Sequence, residues 1–279
     1  MESIRRFFKK SNAEKYQAAR AHMRAMLTSV FKPNIDEIVA KHKLSAPSAV
    51  KNQAGFFLVL RPESDFEFNN FPELKKLVSL WVKHNRRNSG DIMRLYAFML
   101  NIRNFMDENV PGDFAELGVW KGNSAAVLSH YARAYGRKTF LFDTFSGFDR
   151  RDLKGVDFKY RQSKAFSDTS LELVKDVVGD NDVVYVKGYF PDSIPESIES
   201  EAKFSLVHLD CDLYEPISSG LKFFYPRLSP GGMIIIHDYS NPHWAGVKLA
   251  VNDFFFDKKE RPVLVPDRSG TAIIRKSSF

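Results

Sequence analysis

The chain has 279 residues, 44% of them hydrophobic, with one cysteine and a formal net charge of +7. That length fits one large domain or a domain with a substantial extension, and the lone Cys211 excludes a disulfide framework or a cysteine-built zinc site. No apolar run reaches the ~18 residues of a membrane span and MESIRRFFKKSNAEKYQ lacks the apolar stretch of a secretory signal, so a cytoplasmic protein without stable membrane insertion is expected.

Taken in chain order, Tyr16, Ala19, Met23, Met26 and Leu27 fall at helical spacing within residues 12–30, with Ser11 or Asn12 as a cap. A second helix is expected from Pro33, and residues 45–70, rich in Phe with Pro, Ser and Asn, read as a loop. Helical patterning returns over 72–84 and 91–106 until Pro111–Gly112 stops it. Residues 1–110, a mostly helical extension, hold 19 Lys and Arg against 11 Asp and Glu, and residues 111–279 hold 22 against 23. The extra positive residues are scattered among acids, which suits solvated helix faces better than a nucleic-acid surface, with an anionic substrate or an acidic membrane surface as the other readings.

From Gly112 the pattern changes to short apolar runs alternating with amphipathic stretches. DFAELGV, KTFLFDT, DVVYVKG, FSLVHLD, GGMIIIHD, PVLVP and TAIIRK read as strands, with helices over 122–135, 169–178 and from about Tyr214. Runs such as LFD and MIII suit parallel strands covered on both faces. The expected fold of 111–279 is therefore α/β, an open doubly wound, mostly parallel seven-stranded sheet. VLVP and TAIIRK are joined by only four residues, too few for a crossover, so the sheet should end in an antiparallel hairpin.

The run Glu116-Leu-Gly118-Val-Trp120-Lys-Gly122 follows the first strand. A dinucleotide loop needs a glycine where Trp120 stands, because its backbone approaches a pyrophosphate. A nucleoside ligand without phosphates avoids that conflict, and S-adenosylmethionine (SAM) is one. Gly118 would let the chain turn against it, Glu116 would help hold its amino group, and Asp143, ending the second strand, would grip its ribose hydroxyls.

Three more carboxylates gather at later strand ends: Asp210 and Asp212 in HLDCDLYEP, and Asp238 after MIIIH. If the strands are neighbours, Asp210 and Asp238 can converge on one hard cation, Mg²⁺ first and Mn²⁺ or Ca²⁺ next, which would relieve their repulsion. Such a cation would orient an acceptor hydroxyl and lower its pKa, and Asp212 or, second, His237 would take the proton. Asp212 as a helix cap, and His237 as either a third ligand or a packed side chain, are the alternatives. His208 and Cys211 read as core residues.

GDFAELGVWKGNSA, LFDTFSGF, KGYFPDSIP, LVHLDCDLYEPISSGL and LSPGGMIIIHDYSNP, in this order over roughly residues 110–256, resemble the macrocin O-methyltransferase (TylF/MycF) family. The resemblance implies a class I, Rossmann-like SAM methyltransferase that uses Mg²⁺ to methylate sugar hydroxyls. It implies SAM contacts at Glu116, Gly118 and Asp143, metal ligands at Asp210 and Asp238, and a base at Asp212. Where the family has Asp-Asp-Tyr, this chain has His237-Asp238-Tyr239; a nitrogen ligand there tilts the site toward Mn²⁺ or another transition metal. The N-terminal extension would serve as a cover or a dimer contact. Methylation of a catechol-like acceptor, and a non-catalytic SAM-binding partner protein, are the competing functions.

Overall fold

A computed structural model describes residues 71–277; the helices expected over 12–30 and from Pro33, and the loop 45–70, lie outside the described residues. The first described helices are α1 (Leu74–Val82) and α2 (Ile92–Asp107), joined by a 3-10 turn, Arg86–Asp91. On α2, Leu95, Phe98, Met99, Ile102 and Phe105 recur at helical spacing and are fully or almost fully buried.

The sheet contains β1 (Asp113–Leu117), β2 (Thr139–Asp143), β3 (Val183–Lys187), β4 (Phe204–Leu209), β5 (Leu228–Ile236), β6 (Val263–Leu264) and β7 (Ala272–Arg275). Its strand order is β3-β2-β1-β4-β5-β7-β6. β1 to β5 pair in parallel, and β7 runs antiparallel to both β5 and β6. The doubly wound sheet and its antiparallel end are thus as expected. β6 is a two-residue edge strand, and Pro262 and Pro266 on either side of it fall at positions that face away from β7, where no ladder N–H is needed.

Crossover helices α3 (Asn123–Ala134), α4 (Leu171–Val178), α5 (Glu196–Glu201), α6 (Tyr214–Arg227) and α7 (Ala245–Phe255) complete the α-helices among the described residues. Ser170 caps α4 by accepting the N–H of Leu173 at 3.1 Å. Alternate strand residues face opposite layers. Ala115, Leu117, Val207, Leu209, Ile234 and Ile236 pack with α6 and α7. Phe114, Leu206, Met233 and Ile235 pack with α1, α2 and α3. The helices over 74–107, which the sequence reading assigned to an extension, therefore share an apolar core with the sheet.

This topology fixes the site. The order of pairing reverses at β1, with β2 on one side and β4 on the other, and a crevice forms beyond the carboxyl ends of these strands. Leu209 of β4 lies beside Ile236 of β5, so Asp210 and Asp238 emerge from neighbouring strand ends.

Candidate active site

A cavity of about 620 Å³ lies at the carboxyl ends of β1, β2, β4 and β5. Of the residues expected at the site, Gly118, Trp120, Asp143, Asp210, Asp212, His237 and Asp238 line it, and Glu116 and Gly122 do not.

At the β1–β2 end the chain must turn hard against β4. Gly118 has φ +86°, and a Cβ there would stand 2.2 Å from the Asp210 carbonyl oxygen, so only glycine fits. Asp143 Oδ2 accepts the N–H groups of Val119 (2.6 Å) and Trp120 (2.9 Å), and Oδ1 accepts that of Phe145 (2.6 Å). A carboxylate has about four acceptor positions, so this end-of-strand acid is largely occupied in holding the glycine turn. Gly122, at φ +80°, starts α3 and packs on Val174 and Val178.

Trp120 acts as a strut. Its indole N–H donates to Asp168 at 2.9 Å, its carbonyl accepts from the Thr169 hydroxyl, and its ring meets Phe166 edge-on at 5.2 Å. Phe166 in turn packs against Phe148 and Trp244. All four rings line the cavity and form a continuous aromatic wall.

Glu116 is sealed in the layer between β1 and the helices. Its Oε1 accepts from the Ser124 hydroxyl at 2.5 Å and lies 2.8 Å from His208 Nδ1. Its link to the cavity runs through Ser124, which does line it. Burial pushes the Glu116 carboxyl up, against the opposing effect of His208.

The β4–β5 end has a different character. His237 Nδ1 lies 2.7 Å from Asp210 Oδ1 and 2.9 Å from Asp238 Oδ2, yet neither oxygen is aligned to accept its N–H. Three donor atoms from Asp210, His237 and Asp238 therefore converge, all within 4.8 Å of one another. Asp238 Oδ1 accepts from the Asn241 amide at 2.6 Å, which orients the carboxylate. A buried nitrogen aimed between two carboxylates, with no aligned partner, fits a divalent cation, and the N,O,O donor set suits Mn²⁺ or a later metal as well as Mg²⁺.

Electrostatics point the same way. Burial and the Arg94 guanidinium push the His237 imidazole down, but the two carboxylates outweigh them and raise it to about 10. For Asp210, burial raises the pKa, and His237 with Arg94 holds it well below the usual carboxylate range. Burial, then repulsion from Asp238 and Asp210, pushes Asp212 well above that range. The geometry thus calls for one positive charge between Asp210 and Asp238, a cation or a proton on His237. With that charge present, the repulsion felt by Asp212 falls.

Asp212, at φ +61°, is held facing the cavity rather than capping the following helix. The cap of α6 is Asp157, whose Oδ2 accepts the Tyr214 N–H at 2.7 Å. Two further residues are invisible to motif reading. Arg94 of α2 donates from Nη1 to Asp210 Oδ2 at 3.1 Å, and its Nε lies 3.2 Å from Asp91 Oδ2. Asp152 accepts the Tyr189 hydroxyl at 2.8 Å beside the cavity. Arg94 had a signal: it is a charged residue four positions before Phe98, on the buried face of α2.

The sequence profile of the macrocin-O-methyltransferase (TylF) family matches residues 90–271. The 8-demethyl-8-(2,3-dimethoxy-α-L-rhamnosyl)-tetracenomycin-C 4'-O-methyltransferase of Streptomyces olivaceus is 32% identical over 161 residues, which is 53% of this chain. The match spans 61% of that enzyme's length, less than two thirds. The mycinamicin III 3''-O-methyltransferase of Micromonospora griseorubida is 30% identical over 211 residues, covering 66% of this chain and 82% of that protein. Among solved structures, the O-methyltransferase NovP superposes with a TM-score of 0.59 at 25% identity, over 67% of this chain and 80% of its own.

Proposed function

The chain belongs to the macrocin O-methyltransferase (TylF) family, and on that premise we propose that it transfers a methyl group from SAM to a hydroxyl of a sugar or glycosylated metabolite, assisted by a divalent cation. The observation that carries this reading is one cavity lined at one end by the Gly118 turn and Asp143, and at the other by Asp210, Asp212, His237 and Asp238.

The sulfonium makes the methyl group electrophilic already, so the protein's task is to align the attacking oxygen and accept its proton. The Gly118 turn, held by Asp143, bounds the place for the nucleoside without offering a cradle for a pyrophosphate. Asp210, His237 and Asp238 would hold the cation, which when bound orients the acceptor hydroxyl and lowers its pKa. Asp212 accepts the hydroxyl proton as the new C–O bond forms and the C–S bond breaks, leaving S-adenosylhomocysteine and a methyl ether. Trp120, Phe148, Phe166 and Trp244 form an apolar wall that keeps competing water from the methyl group. They also offer flat faces to a sugar ring. The sugar acceptor is supported by the relatives, whose names place methyl groups on the rhamnosyl unit of a tetracenomycin and on mycinamicin III.

The test is a screen of nucleotide sugars and glycosides for methyl transfer with Mg²⁺, Mn²⁺ or chelator. Transfer to at least one sugar hydroxyl, stimulated by metal, is expected. SAM binding without turnover on any acceptor would instead favour a non-catalytic binding protein.

A further inference from the structure

Two guanidinium groups at the cavity mouth have no part in the chemistry above. Arg87 lies in the 3-10 turn Arg86–Asp91 and Arg268 in the turn between β6 and β7; both are exposed and both line the cavity. The two turns are tied together, since Arg268 donates its backbone N–H to Asp91 Oδ1 at 3.2 Å. The Arg268 side chain lies over Gly90, with Nη1 2.9 Å from where a Cβ would stand, so a larger residue at 90 would displace it. Residues three apart eclipse in a 3-10 helix. Arg87 and Gly90 therefore share a face, and the Arg268 guanidinium resting on Gly90 is brought to Arg87's side of the turn.

Two like charges lining one side of the same cavity favour an anion that joins them. No carboxylate within ion-pair distance does so for either side chain among the described residues. The nearest acids in sequence are turned elsewhere: Asp91 Oδ2 to Arg94, and Asp267 Oδ1 to the N–H groups of Gly270 and Thr271. The other cationic side chains lining the cavity are paired, Arg94 with Asp91 and Asp210, and Lys121 with Asp168 at 2.6 Å. A chain of contacts from Arg268 through Asp91 and Arg94 to Asp210 also joins this arginine pair to the carboxylate cluster.

We propose that Arg87 and Arg268 bind an anionic group carried by the acceptor, a phosphate or a carboxylate, while the acceptor's hydroxyl lies at the Asp210–Asp238 end. Guanidinium forks recognise both groups by paired hydrogen bonds. The inference rests on the methyl-transfer reading of the same cavity and narrows its substrate to a charged sugar: phosphorylated or nucleotide-linked in one case, a uronate in the other.

The test is calorimetric titration of the full chain, saturated with S-adenosylhomocysteine and kept in chelator so that no divalent cation bridges. The probes are inorganic pyrophosphate, methyl glucuronide and the neutral methyl glucoside. At least one anionic probe should bind more tightly than methyl glucoside, and which one does identifies the source of the charge. Arg87→Ala and Arg268→Ala should each weaken that probe about tenfold, the scale of one charged hydrogen bond. Their affinity for S-adenosylhomocysteine should stay within about twofold of the parent's. The inference is overturned if neither anion binds better than the glucoside, or if both variants hold the anion as tightly as the parent. Failure to bind S-adenosylhomocysteine at all would strike the methyl-transfer reading instead, so the two failures are distinguishable.

Discussion

The two ends of the cavity use the same residue type in opposite ways. At the β2 end, Asp143 has its oxygens filled by the backbone N–H groups of Val119, Trp120 and Phe145, and Glu116 is closed off with Ser124 and His208. At the β4–β5 end, Asp210 and Asp238 crowd His237, a buried nitrogen of which has no aligned partner, and Asp212 lines the same cavity. The Asp143 oxygens are thus filled by backbone N–H groups, whereas Asp210 and Asp238, each with one side-chain donor, still face other charged groups. The position along the fold is equivalent; the neighbours decide.

The contrast is tested most strongly by removing one reactive carboxylate. Asp238→Asn keeps the shape and the amide contact with Asn241 but removes charge from the proposed cation site. Methyl transfer should fall on the order of a thousandfold, with metal stimulation lost and SAM affinity retained. Asp210→Asn should behave alike, and metal stimulation surviving in both variants would remove the cation from the account. Next in size, Arg94→Met leaves the buried Asp91 without its ion-pair partner and the half-buried Asp210 with His237 alone, and should cost about 3–5 kcal/mol of unfolding free energy, measured by denaturant titration. A cost below ~1 kcal/mol would mean that other groups already neutralise those acids.

Asp143→Ala sharpens the comparison from the other side. It removes the acceptor of three N–H groups, so stability should drop by roughly 2–4 kcal/mol and SAM affinity severalfold. Loss of affinity with no loss of stability would show that Asp143 serves the ligand rather than the turn. The smallest effect concerns pH. Burial raises Asp152 from 3.8 to about 6, against the Tyr189 hydrogen bond that favours its ionised form. As pH rises from about 4 to 6, the unfolded chain loses this proton while the folded chain keeps it, so the folded state loses stability over that window. Relative to Asp152→Asn, the parent should lose about 1–3 kcal/mol between those values and level off above them. A pH-independent difference would place Asp152 in contact with water or an unrecognised cation.

The fold was legible in the sequence because it is repeated locally. Apolar runs such as MIII and the four-residue link before TAIIRK specify buried parallel strands and an antiparallel end without reference to distant residues. The strand-end acids were legible for the same reason. What the sequence concealed are contacts across long separations: Arg94 to Asp210 spans 116 residues, and Asp157 to Tyr214 spans 57. Asp157 displaced the alternative of Asp212 as the α6 cap, because a side chain from the 3-10 segment Gly155–Tyr160 reaches the free N–H first. The sequence marks Trp120 as a residue that a phosphate-free ligand tolerates; its partners Asp168, Thr169 and Phe166 give it a second task in bracing the wall of the cavity.

The most direct test of the central claim, a cation-assisted methyl transfer at the Asp210–His237–Asp238 cluster, is turnover of labelled SAM with a sugar acceptor in chelator and again after Mn²⁺ is restored. The account predicts loss of transfer in chelator, recovery with Mn²⁺, and an unchanged SAM dissociation constant throughout. Full-rate transfer in chelator would contradict it.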